Sequence, residues 1–442
     1  MRPAASAYLL ERAWVDGRVQ HDVHVSVADG RFTSVGGAPV EGAERLPGLT
    51  VPGLANCHSH AFHRALRGRT QRASGSFWSW REQMYDLAGR LDPDSYRRLA
   101  TAVFREMVAA GVTTVGEFHY LHHRPDGSAY DDVNAMGLAL VEAARDAGLR
   151  IALLDTCYLT AGIGQPAEGV QRRFSDGSAA AWQERTDELT AEEGGDVVVG
   201  AAVHSVRAVP LDDMRLVAEW ADRFETPVHV HLSEQVAENE QCWDAYGRTP
   251  TELLAEAGVL GDRTTVVHAT HLTDVDVHRI GAARASACFC PTTERDLGDG
   301  IGPARALVAA GARLTLGSDS HAVVDLFEEM RAVEMHERLS TLVRGHWSAA
   351  DLIRAAPADG HASLGFPDAG RIAVGCRADL VTLDLSSPRT AGTGSGPETA
   401  VFAATSADVV QVVAGGRVVH RAEQSEDVGR ALATAIGEVW RS

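Results

Sequence analysis

Lysine is absent from this chain of 442 residues, and all 41 of its basic side chains are arginine. The absence excludes a Schiff base through lysine, a lysine general base, and a carbamylated lysine that bridges two metal ions. Cysteine is also scarce, because six cysteines in a chain of this length do not form a disulfide framework. Cys288 and Cys290 lie one residue apart on a predicted strand, and we interpret them as core thiols.

Long apolar runs are missing too. No stretch approaches the roughly 18 uncharged apolar residues that a membrane helix needs, and residues 1–17 lack the pattern of a secretory signal. The formal net charge of -19 disfavours nucleic acid, because phosphate binding requires a basic surface. An anionic substrate is still compatible, since a few arginines set the field inside a pocket. We expect a cytoplasmic enzyme for a small molecule, with no nucleic-acid or membrane partner.

The middle of the chain alternates short apolar runs with segments of helical periodicity, such as 96–110, 133–147, 211–224 and 304–310. Most of the apolar runs are β-branched and apolar on both faces, as buried parallel strands should be. Eight such repeats predict an α/β fold that closes into a (β/α)8 TIM barrel. The eight runs are Thr50–Cys57, Thr113–His119, Ile151–Tyr158, Val197–His204, Val228–Leu232, Thr265–His268, Ala287–Cys290 and Leu314–Asp319.

The two ends of the chain carry a different pattern, in which short alternating runs are separated by turn glycines. Gly415 and Gly416, followed by Arg-Val-Val, form a hairpin signature. Half-sheets at opposite ends of a chain can pair only if the ends meet. The sequence therefore predicts a small β-sandwich domain composed of residues 1–50 and 370–442, and a catalytic barrel over residues 51–369.

Metal-ligand side chains follow four of the predicted strands. His58 and His60 lie two residues apart on the first strand and can reach one ion together. His231 ends the fifth run, His268 the sixth, and Asp319 follows the eighth. Since functional side chains of a barrel sit at the C-terminal ends of its strands, these groups should meet. Three imidazoles and one carboxylate suit zinc, and iron or other divalent ions nearly as well.

Other residues at the same strand ends refine this prediction. Glu234 follows the fifth strand and could act over the site as a proton carrier, although an exposed loop acid is the alternative. For His268 we favour a role beside the metal over ligation, and for Asp319 the alternative is a helix N-cap. The fourth run ends in His204 and offers no bridging anion, which favours a single metal ion.

The motifs at these strand ends resemble those of the amidohydrolase superfamily, in particular its mononuclear deaminase branch. The resemblance covers nearly the whole chain, and it implies a metal-dependent hydrolase that acts on a C–N bond. The motifs are Pro52–His60 (PGLANCHSH), His231–Glu234 (HLSE), His268, Gly317–Ser320 (GSDS) and Gly370–Leu380 (GRIAVGCRADL).

A second set of motifs resembles the formimidoylglutamate deiminase family within that superfamily. These enzymes of histidine degradation convert N-formimino-L-glutamate to N-formyl-L-glutamate and ammonia with a metal-activated hydroxide. The resemblance implies one divalent metal per chain, Zn²⁺ or iron, a small dicarboxylate substrate and a homodimer. The motifs are Ser59–Ala65 (SHAFHRA), Phe77–Arg81 (FWSWR), Gly116–Tyr120 (GEFHY), His204–Arg207 (HSVR), Cys290–Glu294 (CPTTE) and Leu297–Gly300 (LGDG).

The resemblance assigns a role to each matched residue. Arginine suits the binding of a dicarboxylate substrate, because its planar guanidinium group binds a carboxylate through a pair of hydrogen bonds. The implied metal ligands are His58, His60, His231 and Asp319; the proton-transfer groups are Glu234, His268 and Asp319; and the substrate-binding residues are His63, Arg81, Tyr120, His204 and Arg207.

Position 63 departs from the pattern, because His63 stands where these enzymes usually carry a glutamine that contacts the substrate. Either the imidazole replaces the amide donor, or the specificity has changed. Two competing hypotheses are a deaminase of guanine or a related heterocycle, and a metal-free barrel that serves as a binding or assembly module. The second predicts loss of ligand positions, and none is lost here.

Overall fold

The computed structural model describes residues 6–71 and 77–441, with the side chains of residues 77–79 left out, so Phe77, Trp78 and Ser79 of the predicted substrate motif lie outside the described side chains. Strands from both ends of the chain form one seven-stranded sheet, as the sequence predicts. Its strands, numbered in chain order, are β1 (Ser6–Val15), β2 (Arg18–Ala28), β3 (Arg31–Val35), β4 (Glu44–Pro52), β15 (Leu380–Leu383), β16 (Val409–Ala414) and β17 (Arg417–Arg421).

Eight parallel strands form the barrel, and each pairs with the next one along the chain. The predicted α/β barrel with a composite terminal β-domain is therefore confirmed. The barrel strands are β5 (Leu54–Ser59), β6 (Val112–His119), β7 (Arg150–Cys157), β10 (Val197–Val203), β11 (Val228–Leu232), β12 (Thr264–His268), β13 (Ser286–Phe289) and β14 (Arg313–Leu316), and a small hairpin after β7 consists of β8 (Thr160–Gly162) and β9 (Gln165–Pro166).

Helices surround the barrel and connect its strands. None of the helices in the described part of the chain is both long and apolar enough to cross a membrane. The helices are α1 (Phe77–Arg90), α2 (Pro93–Ala109), α3 (Ala135–Ala147), α4 (Ala179–Leu189), α5 (Leu211–Phe224), α6 (Val236–Tyr246), α7 (Pro250–Glu256), α8 (Asp274–Ala282), α9 (Pro291–Leu297), α10 (Ala304–Ala310), α11 (Leu326–Thr341), α12 (Ala349–Arg354), α13 (Gly360–Ser363), α14 (Pro397–Phe402) and α15 (Ser425–Arg441).

The first predicted run, Thr50–Cys57, is divided between the two sheets. Its beginning belongs to β4 of the terminal sheet, and β5 of the barrel starts only at Leu54. The chain passes from the terminal sheet to the barrel at Gly53, where an added Cβ would lie 2.7 Å from Cβ of Asp379. Periodicity could not show this break, because both strands are buried and apolar. The histidines at the end of β5 keep their predicted place.

The barrel closes between β5 and the chain that follows β14. The carbonyl oxygen of His58 accepts hydrogen bonds from the backbone N of Ser318 at 3.1 Å and of Asp319 at 2.9 Å. The backbone N of His60 donates in turn to the carbonyl oxygen of Asp319 at 3.2 Å. A Cβ at Gly317 would lie 2.8 Å from Cβ of His58, so the two segments approach this closely only with glycine there.

The composite domain has a small apolar core of its own, separate from the main core around the barrel. A buried ion pair between Arg150 of β7 and Asp379 joins the two parts. The carboxylate of Asp379 also accepts from the backbone N of Gly415 at 2.9 Å. We propose that residues 1–50 and 370–442 form one domain and residues 51–369 the other.

Candidate active site

Of the four predicted metal ligands, His58, His231 and Asp319 lie with His268 in one group of donor atoms at the mouth of the barrel, and Asp319 also lies close to His60. Nε2 of His58 lies 3.4 Å from Oδ1 of Asp319 and 3.1 Å from Nε2 of His231. Nε2 of His60 lies 3.3 Å from the same Oδ1. Four tetrahedral ligands at about 2.1 Å from one ion are about 3.4 Å apart, so these separations fit a single metal ion.

Hydrogen bonds to carbonyl oxygens fix the orientation of two of the imidazoles. Nδ1 of His60 donates to the carbonyl oxygen of Phe118 at 3.0 Å, and Nδ1 of His231 donates to that of His204 at 2.8 Å. A carbonyl oxygen only accepts, so in the neutral ring the proton is on Nδ1 and the lone pair is on Nε2. Both lone pairs then face the shared centre, as metal-binding histidines require.

The protonation states also suit a divalent cation. Burial lowers the pKa of His58, His60 and His231, which keeps the imidazoles neutral and able to donate a lone pair. Burial by itself would raise the pKa of Asp319, but the hydrogen bond with His58 and the neighbouring imidazoles outweigh it and hold that pKa below its ordinary value. The result is three neutral imidazoles and one carboxylate, a donor set that fits a divalent metal ion.

The backbone is strained at the same strand ends. Ser233, His268 and Asp319 have φ angles of +50°, +68° and +41°. Left-handed backbone is unfavourable for residues other than glycine, and such strain clusters at functional sites. The three strained residues follow or end β11, β12 and β14, where the predicted ligands and proton carriers lie.

His268 lies beside the donor centre, among three carboxylates. Its Nε2 is 3.7 Å from Oδ2 of Asp319 and 3.9 Å from Oε1 of Glu234, while its Nδ1 is 3.5 Å from Oε1 of Glu294. Burial alone would lower the pKa of His268, but the charge of Glu234 and the hydrogen bond with Glu294 raise it well above the ordinary value. Burial raises the pKa of Glu234. Asp319, His268 and Glu234 therefore form a short path along which a proton can move.

A cavity opens over this centre, with walls that include Phe174, Tyr158 and Trp80. The structure brings every predicted substrate-binding residue to this cavity. Those residues are His63, Arg81, Tyr120, His204 and Arg207.

His63 lies on the 3₁₀ helix Ala61–Leu66, and its Nε2 is 2.9 Å from the hydroxyl of Tyr120. Burial lowers the pKa of His63 to about 3, so its imidazole is neutral near pH 7. A neutral imidazole can donate one hydrogen bond and accept another, as the glutamine amide expected at this position does. The unusual residue therefore keeps one donor and one acceptor of the amide.

Two guanidinium groups lie at the outer part of the cavity. Arg81 of α1 donates from Nε to the hydroxyl of Tyr85 at 2.5 Å. Arg207 follows β10 and donates from Nε to Oε2 of Glu238 at 3.0 Å. Burial and then Arg207 and Arg81 lower the pKa of His204, which keeps it neutral between them. The pocket thus presents cationic groups on one side and the imidazole centre on the other.

Several polar residues that hold this site had no role in the sequence-based prediction. Glu117 is buried inside β6 and accepts from Oγ of Ser59 and from the backbone N of Ala61, each at 2.6 Å. Burial raises the pKa of Glu117 to about 8. A carboxyl group inside a strand predicted to be buried was a signal that could have identified it. Glu238 and Glu294 gave no such signal, because acids are ordinary in the first turn of a helix.

A second group of ligand-type side chains lies behind the pocket and consists of His119, His122 and Asp155. Its carboxylate is already occupied, because Arg185 donates to both oxygens of Asp155 at 2.7 and 2.9 Å. Trp182 donates to the same carboxylate from Nε1 at 2.8 Å. This group is better described as a buried ion pair with neighbouring imidazoles than as a metal centre.

Comparisons with known proteins agree with the fold. The profile of the amidohydrolase family matches residues 49–419. A formimidoylglutamate deiminase from Pseudomonas aeruginosa is 38% identical over 98% of this chain and 99% of its own length. A 5-methylthioadenosine/S-adenosylhomocysteine deaminase from Pelotomaculum thermopropionicum is 28% identical over 92% of this chain and 90% of its own.

Among solved structures, an amidohydrolase from Brucella melitensis superposes with a TM-score of 0.90 at 31% identity, over 98% of this chain and 100% of its own. The similarity therefore extends over both the barrel and the terminal sheet. The family profile alone spans the strands that carry the imidazoles and the carboxylate. This chain belongs to the amidohydrolase family.

Proposed function

We propose that this protein hydrolyses N-formimino-L-glutamate to N-formyl-L-glutamate and ammonia, with one Zn²⁺ ion held by His58, His60, His231 and Asp319. The observation that carries the proposal is that His60, His231 and Asp319 of this donor set line the same cavity as the guanidinium-bearing residues Arg81 and Arg207. The 38% identity to a formimidoylglutamate deiminase over the full length supports the same activity.

The substrate has two carboxylates, and the pocket offers two arginines to bind them. The contact of Nε of Arg207 with Glu238 leaves its two Nη groups, and among the described residues no other hydrogen bond engages that side chain. A planar pair of N–H donors matches the two oxygens of a carboxylate. Arg81, Tyr120, His204 and His63 supply the remaining donors around the same cavity.

The reaction adds water to the formimino carbon and breaks its bond to the terminal nitrogen. A bound divalent metal lowers the pKa of water towards neutrality and so supplies the nucleophile. Asp319 accepts a proton from the attacking water, and His268, 3.7 Å away, orients that water. Glu234 delivers a proton to the departing nitrogen, and burial, which raises its pKa, favours the protonated form that this step needs. Ammonia leaves, and the oxygen remains as the formyl carbonyl.

A deaminase of guanine or a related heterocycle is the alternative within this family. Recognition of a neutral base needs amide and aromatic groups, and a neutral base offers no carboxylate to a guanidinium group. Arg207 and Arg81 both line the pocket here. The dicarboxylate substrate fits this charge, and a purine does not.

Ammonia release by the metal-reconstituted protein tests the proposal directly. The substrates to compare are N-formimino-L-glutamate, guanine and S-adenosylhomocysteine. We expect kcat/KM for N-formimino-L-glutamate to exceed the others by at least about 100-fold, since buried donors without partners reject substrates that lack the matching group. Equal or faster ammonia release from either purine compound would replace the proposal with the heterocycle deaminase.

Three finer features belong to the same proposal. We place the enzyme in histidine degradation, in the cytoplasm, and as a homodimer. Light scattering of the purified protein, measured behind size exclusion, checks the last of these, because a dimer has twice the mass of the 47.1 kDa chain.

A further inference from the structure

Glu238 connects a cavity-lining arginine to the backbone beside Glu234. It lies in the first turn of α6, and its side chain is 0% exposed. Its Oε2 accepts from Nε of Arg207 at 3.0 Å, and its Oε1 accepts from the backbone N of Ser233 at 2.9 Å. Each oxygen of this buried carboxylate therefore has a different partner: Arg207 lines the cavity, and Ser233 directly precedes Glu234, which also lines it.

Both contacts restrain groups that would otherwise move. Ser233 has a φ of +50°, a conformation that is unfavourable for a residue with a side chain and persists only where its surroundings hold it. Glu234 is the next residue, so the hydrogen bond to Ser233 fixes the start of its side chain. The contact with Nε of Arg207 fixes the plane of the guanidinium, which decides where its Nη donors point.

We propose that Glu238 is a positioning residue that couples the binding of a substrate carboxylate by Arg207 to the placement of Glu234. The inference rests on the proposed function. Only a carboxylate serves both partners, because Arg207 and Ser233 each donate a hydrogen bond. A glutamine has one acceptor oxygen and one NH₂ donor, so it satisfies one contact and opposes the other.

Glu238→Gln tests the coupling, and Glu240→Gln is the matched control. Glu240 lies exposed on the same helix, so its variant removes the same charge outside the pocket. The readouts are KM and kcat for N-formimino-L-glutamate, the pH profile of kcat, metal content, and the Kd of glutarate by calorimetry. Glutarate carries two carboxylates and no formimino group, so its affinity reports on the arginines alone.

We expect Glu238→Gln to raise the KM and the Kd of glutarate about tenfold, the effect of losing one charge-assisted hydrogen bond. We also expect a lower kcat and a displaced pH profile, with metal content and the Glu240→Gln control unchanged. A merely structural role would lower kcat through a smaller active fraction, and would leave KM, the Kd of glutarate and the pH profile as they are. That pattern would overturn the proposal.

A measurement on the unaltered protein covers the case in which the variant folds poorly. Hydrogen exchange of the Ser233 amide should slow when glutarate saturates the pocket, because the bound carboxylate fixes Arg207 and through it Glu238. Unchanged exchange would contradict the coupling. Failure of the protein to release ammonia from N-formimino-L-glutamate would count against the proposed function alone, while slowed exchange would still support the role of Glu238. Failure to bind glutarate would contradict both.

Discussion

His58 and Asp319 meet twice, once through the main chain and once through their side chains. The backbone N of Asp319 donates to the carbonyl oxygen of His58 at 2.9 Å and so closes the barrel. Oδ1 of Asp319 lies 3.4 Å from Nε2 of His58 in the proposed metal centre. Closure of the barrel and assembly of the centre therefore depend on the same pair of residues, and a bound metal ion should stabilise the closed barrel.

Removal of the metal should lower the thermal stability of the protein. A ligand that binds only the folded state stabilises it by about 4 kcal/mol when its concentration is 1,000 times its Kd. We expect Tm to fall by several degrees after treatment with a chelator and to recover when zinc is restored, measured by scanning calorimetry. If Tm stayed the same in protein shown to have lost its metal, the metal centre would not contribute to the stability of the closed barrel.

Gly317→Ala should destabilise the protein through the barrel seam. The new methyl group would lie 2.8 Å from Cβ of His58, and overpacking of this kind costs roughly 1–3 kcal/mol. Gly89→Ala is the control, because Gly89 lies in α1 with open space around its missing Cβ, and alanine there should stabilise the helix by about 0.5–1 kcal/mol. Urea denaturation measures both changes. Equal stability of the two variants would show that the seam accommodates a side chain.

Arg207→Met should raise KM for the dicarboxylate. The variant keeps most of the side-chain volume and loses the donors, and hydrogen bonds to a charged group contribute about 1.5–3 kcal/mol, or roughly 10- to 100-fold in KM. Arg344→Met is the control, because Arg344 is exposed in the segment after α11. Steady-state ammonia release is the measurement. An unchanged kcat/KM in Arg207→Met would remove Arg207 from the substrate pocket.

Acid should destabilise the ion pair behind the pocket. Burial would raise the pKa of Asp155, but the charge of Arg185 outweighs it and lowers that pKa to about 2, below its ordinary value of 3.8. Stability from a lowered carboxyl pKa is fully present above the unfolded-state value and is lost as pH falls through the folded-state value. The loss should therefore occur between about pH 4 and pH 2, and amount to about 2 kcal/mol.

Urea denaturation between pH 2 and pH 6 checks this expectation. The free energy of unfolding should fall less steeply below pH 4 in Asp155→Asn than in the unaltered protein, although the variant is less stable at pH 6 because Arg185 is left buried with fewer partners. Identical slopes in the two proteins would show that Asp155 titrates normally in the folded state.

The sequence was sufficient to predict the barrel and its donor set, because both depend on local patterns. Apolar runs and helical periodicity located the strands and helices, and Leu211–Phe224 and Val228–Leu232 have the predicted bounds. Once the strands were placed, barrel geometry brought His58, His231 and Asp319 to one end.

Features that depend on contacts between distant segments could not be predicted in this way. At the break between the two strands, Gly53 packs closely against Asp379, which lies 326 residues later in the chain (379 minus 53). Local periodicity cannot show such a contact. The strained backbone of Ser233 and Asp319 follows from tertiary constraints and not from residue type. Glu238 looks like an ordinary acid at the start of a helix, and only its contacts with Arg207 and Ser233 give it a role.

Metal content of the purified protein tests the convergence of the four donors most directly. Plasma emission spectroscopy on protein loaded with zinc and then dialysed should find one metal ion per chain. The same treatment of a His58→Ala, His231→Ala double variant should leave little metal in protein that retains its circular dichroism spectrum. A protein that stays metal-free after zinc loading, or a double variant that keeps its full metal content, would contradict the account.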